Sequence, residues 1–219
     1  MRCRSFLRWA AICAAVVIAA APVAAATQEG HEHGQGEMAE GEEHAGHGEM
    51  SAEEQAMMAA WQAAGTPGPE HAKLAATAGT FKVTAKSWHQ PGGEPEVSEG
   101  TAVRTMTLAG RVLEERFTGS MMGAPFEGLG RTGYDNVTDT YWSTWTDNMM
   151  TALILFKGTM GDDGSSSFEG DMPDPMSGGM THMRIETHKE GDKEVHEFFM
   201  PGPDGSEMKG MELVYEPAG

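Results

Sequence analysis

Gly128, Gly130 and Gly133, in the stretch EGLGRTGYDN, have the spacing of a dinucleotide-binding turn. Such a turn carries chemistry where a strand enters it and a helix leaves it, because the pyrophosphate rests on the free N–H groups of that helix. Here the following residues are TDTYWSTWTD, rich in Thr and aromatics, and no Lys-Ser or Lys-Thr pair closes a phosphate loop. The pattern therefore reads as a strand, a turn and a second strand, with the glycines allowing a sharp coil or a close neighbour.

The histidines offer a different chemistry. His31-Glu32-His33 and His44-x-x-His47 interleave imidazoles with carboxylates, with Met38 and Met50 nearby, a composition that can hold Zn, Cu or Ni loosely. The alternative is a solvated acidic spacer. His196 alternates with Phe198 and Met200; if that face is internal it is a lone imidazole among apolar residues, as a proximal haem ligand would be. The alternative is a hydrogen-bonded core or exterior histidine. His182 and His188 share one strand and are a further haem or metal possibility, although the alternation of that strand puts them on the outer face. No G-x-S-x-G elbow or H-E-x-x-H helix occurs, and Glu114, Glu115 and Asp147 are ordinary carboxylates for so acidic a chain, so an enzyme is unsupported.

The elements that must position these groups begin after an export signal. Arg2, Arg4 and Arg8 precede the apolar run Ala10–Ala20, and PVAAA supplies small residues for cleavage near Ala26, so residues 1–26 are expected to be removed and the protein to reach the periplasm or the exterior. The Ala-rich run, broken by Pro22, argues against a permanent membrane anchor. Cys3 and Cys13 both lie in this segment, which leaves the exported chain without thiolate chemistry or disulfides. Loss of the three arginines takes the formal charge from −18 to −21, which argues against nucleic acid and anionic membrane surfaces as partners.

Residues 27–64 are Gly, Glu, Ala and His with few large apolar groups, and are expected to form a disordered tail with a short helix through SAEEQAMMAAWQ. GTPGPEH marks a boundary at Gly65. Beyond it, EHAKLAATAG predicts a short helix with Leu74 buried, followed by ten strand candidates from TFKVTAKSW to EMKGMELVYE, separated by turns such as QPGGEP, GAP and GDDG. The expected fold over 65–219 is all-β: an antiparallel up-and-down β-barrel of about ten strands, preceded by a short helix. Met183 and Ile185 alternate with His182, Arg184, Glu186 and His188; Met211, Leu213 and Tyr215 alternate with Glu212, Val214 and Glu216. Val112 and Phe117 differ in parity, which predicts a strand that bends or is buried on both faces.

PGPEHAKLAATAGTFKV, MMGAPFEGLGRTGYDN, YWSTWTD, PDPMSGG and GPDG followed by MELVY together resemble the bacterial family of domain of unknown function 1579, over about residues 66–216. Gly79-Thr80-Phe81 at the head of the first strand is similar to the Gly-x-Trp opening of lipocalin-like barrels, including nitrobindin-like haem proteins, with Phe in place of Trp. That likeness implies a lipocalin-like barrel. A closed barrel of this strand number has room for a small ligand. The expected partner is a small hydrophobic molecule facing Phe81, Met106, Trp142, Trp145, Met183, Phe198 and Tyr215. Trp142 and Trp145 differ in parity, so one of the two is expected to face outward. The methionines near turns, Met121-Met122 and Met149-Met150 among them, suit a flexible apolar mouth.

Overall fold

The computed structural model describes residues 50–202 and 204–219. The expected export signal and His31, His33, His44 and His47 lie outside the described residues. Ten strands follow two helices, α1 (Ala52–Gly65) and α2 (Pro69–Ala75). The strands are β1 (Gly79–Ser87), β2 (Glu96–Thr107), β3 (Val112–Met121), β4 (Ala124–Asp135), β5 (Thr140–Asp147), β6 (Ile154–Met160), β7 (Ser166–Asp174), β8 (Gly179–Glu190), β9 (Lys193–Pro201) and β10 (Glu207–Pro217). Each pairs antiparallel with its neighbours in sequence, and β1 pairs with β10 to close the barrel. Closure leaves no unpaired edge, so every strand finds its hydrogen-bond partners within the domain.

Alternation along the strands sets the two faces as the sequence predicts. Met183 and Ile185 of β8, and Met211, Leu213 and Tyr215 of β10, point into the lumen. His182 and Arg184 face outward, where they pair with Asp171 and Glu207. The uneven parity of β3 is resolved by burial on both sides. Leu113 and Phe117 face inward, while Val112, 7 % exposed, lies in an outer row with its register partner Gly133 and with Trp142 beyond it. The β3–β4 hairpin turns through Met122 and Gly123, both with positive φ (51° and 75°), the arrangement that matches the twist of paired strands.

One end of the barrel is closed by α2. Pro69 starts this helix and the Gly68 N–H donates to His71 Nδ1 at 3.1 Å, satisfying an end group. Leu74, 2 % exposed, packs on Leu113 and Tyr141, and the Tyr141 hydroxyl donates to Glu70 Oε2 at 2.6 Å. Leu74→Ala is expected to cost about 2–5 kcal/mol in urea unfolding, because the rigid barrel rim cannot collapse into the space left behind. The preceding helix α1 is capped reciprocally by Ser51 and Glu54. Its C-terminal carbonyls are held by Asn136, whose amide donates to Ala63, Ala64 and Thr66, and by Arg111, which donates to Gly65 at 2.6 Å.

Candidate functional site

The lumen encloses a cavity of about 610 Å³. Its walls are mostly apolar, with Phe117, Phe126, Ile154, Phe156, Ile185 and Leu213 among them. At the end opposite α2 the lining includes Met121, Met122, Met149, Met150 and Met172, from strand ends and turns that meet there. Met122 is 61 % exposed, so this rim is both apolar and open to solvent. Long unbranched thioether side chains adapt to occupants of different shape.

The three spaced glycines serve two tryptophans on β5. A Cβ on Gly128 would lie 2.2 Å from the Trp145 ring and one on Gly130 3.3 Å from it, so the indole lies against bare backbone on the luminal face. A Cβ on Gly133 would lie 2.3 Å from the Trp142 ring on the other face. Trp145 is fixed further by its N–H, which donates to Asp147 Oδ2 at 2.9 Å, while Asp147 Oδ1 accepts from the Met149 and Met150 amides. The glycine spacing thus records the register between β4 and β5.

Towards the closed end the apolar wall gives way to an ion cluster from four strands. Arg104 (β2), 6 % exposed, donates to Glu115 (β3) at 2.5 Å through Nε and to Glu194 (β9) at 2.7 Å through Nη1. The Tyr215 hydroxyl (β10) donates to the other Glu115 oxygen at 3.1 Å. The guanidinium carbon lies 4.3 Å from the Tyr215 ring centre and 5.0 Å from that of Phe81. His196 meets Glu194 Oε1 through Nε2, and its ring centre is 4.7 Å from that of Tyr215. Burial pushes the Tyr215 phenol well up. Burial also raises the Glu194 carboxyl, but the His196 hydrogen bond and the Arg104 charge outweigh it and bring the group down to about 2.

That depression carries a sign. An unfolded Glu194 takes its proton near the ordinary 4.5 and a folded one near 2, so its stabilisation is complete above the first value and disappears as pH falls through the second. Unfolding free energy is expected to fall by about 3 kcal/mol between pH 5 and pH 2 through this group. Urea titrations across that range would show it, and Glu194→Gln would flatten the dependence.

Of the residues expected to face a ligand, Trp145, Met183, Phe198 and Tyr215 line the cavity. Phe81 and Met106 belong to packed layers around it: Phe81 stands edge-on to Tyr215, and Met106 packs on the cluster of Leu74, Leu113 and Tyr141. Trp142 does not line the lumen. The odd step between positions 142 and 145 puts it on the outer face, over Gly133. His196 is internal, but it is not the lone imidazole that its apolar neighbours in sequence suggest, since Glu194 and Arg104 surround its Nε2. His182 and His188 are outside, beside Asp171 and Glu190. Among the described residues no three His, Asp or Glu side chains converge on a point that a metal ion would occupy.

Sequence reasoning missed Arg104 and Glu194, and took Glu115 for an ordinary carboxylate of an acidic chain. The usable signal was parity: Arg104 alternates with Ala102 and Met106, Glu115 with Leu113 and Phe117, and Glu194 with His196 and Phe198. Glu114, by contrast, faces outward and pairs with Arg116 and Arg131. Residues 66–216 match a family described as protein of unknown function (DUF1579), a span that covers α2 and almost all of the barrel. No curated protein matches the chain.

Proposed function

We propose that this chain, which belongs to the DUF1579 family, binds one small hydrophobic molecule inside its barrel. The observation that carries this reading is the cavity of about 610 Å³, walled by aromatic and aliphatic side chains and opening through a methionine rim. A space of that size suits a ligand of ordinary small-molecule dimensions, and burying apolar surface there supplies affinity at roughly 25 cal/mol per Å² before ordering costs. The buried charged groups of the lining, Arg104 and Glu194, are grouped at the closed end, where they would orient the bound molecule. With residues 1–26 acting as an export signal, the protein would do this outside the cytoplasm.

The neutral fluorophore N-phenyl-1-naphthylamine tests the reading. Titration should give saturable enhancement with one site per chain. Ser98 lines the lumen on β2 and makes no side-chain hydrogen bond among the described residues, so Ser98→Trp should fill the space and abolish the signal while circular dichroism stays unchanged. Non-saturable binding, or binding indifferent to a folded Ser98→Trp variant, would overturn the proposal. Peptide mapping of exported protein should find a new N-terminus at Thr27; an intact first segment in exported material would rule out cleavage.

A further inference from the structure

The luminal charges do not balance. Four carboxylates line the cavity, Glu96 and Asp147 toward the open end and Glu115 and Glu194 at the closed end, against the single guanidinium of Arg104. In the closed-end cluster Arg104 is the one permanent cation among the described residues and faces two carboxylates in a water-poor place. Uncompensated charge in such a setting calls for a counter-charge or hydrogen-bond donors.

The unused atoms indicate which donor fits. Both Glu115 oxygens are engaged, by Arg104 and Tyr215. Glu194 Oε1 is engaged by Arg104 and His196, while its Oε2 has no partner among the described residues. No buried side-chain nitrogen or oxygen of the described residues lacks a partner, so Oε2 is open rather than sealed, and Glu194 lines the cavity. A His196 Nε2–H that donates to Glu194 leaves Nδ1, which has no partner among the described residues, facing the same space. Arg104, the one fixed donor, is shut away with its side chain 5 % exposed, whereas the His196 side chain is 19 % exposed. Thr187, the register partner of His196, also lines the cavity, and its hydroxyl serves either role. The lumen therefore offers a hydrophobic guest acceptors and negative charge at its closed end.

We propose that the barrel selects hydrophobic molecules ending in a protonated amine, with the ammonium group received by Glu194 Oε2 and His196 Nδ1 and the apolar portion directed toward the methionine rim. This rests on the ligand-binding reading above and narrows it to a chemical class. An ammonium supplies the donors these atoms lack and completes the charge of the Arg104 cluster. A carboxylate guest would meet the like charge of Glu194 there, with the Thr187 hydroxyl as a donor.

Dodecylamine, dodecanol and dodecanoate share a chain and differ in the polar end. Competed against N-phenyl-1-naphthylamine on the full chain at neutral pH, the amine should displace the probe about tenfold more tightly than the alcohol, and dodecanoate should be weakest. Displacement of the neutral probe reports the lumen rather than attraction to the acidic exterior. Glu194→Gln should bring the ratio of amine to alcohol affinity, both measured in the same variant, down toward one. The wild-type comparison decides the matter even if that variant does not fold. Equal affinity for all three, or preference for dodecanoate, would overturn the amine assignment and leave the hydrophobic site standing. Failure of the probe itself to bind would remove both.

Discussion

Arg104→Met should destabilise the barrel by about 3–5 kcal/mol. The guanidinium holds Glu115 and Glu194 together at the closed end of the lumen, and a methionine of similar length removes the charge while keeping much of the volume. Two carboxylates would then face each other in poorly hydrated surroundings, and folding would require one of them to take up a proton. The deficit in urea unfolding should therefore shrink as the pH is lowered from 8 to 5, the opposite direction from the wild-type response attributed to Glu194. Combining Arg104→Met with Glu115→Gln and Glu194→Gln should recover much of the loss, because the cost lies in stranded charge more than in absent attraction. A pH-independent deficit that the triple variant fails to relieve would show that Arg104 acts chiefly through its packing on Phe81 and Tyr215.

The second large effect concerns the Trp145 seat. In Gly128→Ala the added methyl would lie 2.2 Å from the indole, which must rotate, losing its hydrogen bond to Asp147 and its stacking beside Phe126. Overpacking and the lost bond together should cost about 3 kcal/mol. A displaced indole would also enter the lumen, so N-phenyl-1-naphthylamine affinity should fall with stability. Gly130→Ala, with 3.3 Å to the same ring, should be much milder. Trp145→Leu should relieve Gly128→Ala, giving a coupling energy of about 2 kcal/mol in a double-mutant cycle. Additive losses would mean that the ring and the glycine do not interact as the register implies.

These two sites show how unevenly the protein was legible from its residues. The strands and turns are local properties: β-branched and aromatic residues in runs, Gly, Pro and Asp between them, and period-two alternation that already separated Met183 and Ile185 from His182 and Arg184. The same alternation placed Trp142 and Trp145 on opposite faces. It could not say which of the two faced inward, because parity relates neighbours on a strand to each other and fixes neither to a common lumen. The role of Gly128 and Gly133 as seats for aromatic rings was equally out of reach, since the partner rings lie on β5 and meet them only through the β4–β5 register.

The primary structure by itself determined the succession of ten antiparallel strands, the helix that buries Leu74, the acidic charge and the supply of methionines at the turns. Tertiary structure alone decided that Arg104 would meet Glu115 eleven positions away and Glu194 ninety positions away, and that His196 would join them. Closing β1 on β10 brings β2 and β9 within reach across the lumen. Pairwise charge neutralisation depends on that distance in space and on exclusion of water, two quantities that no local pattern of residues contains.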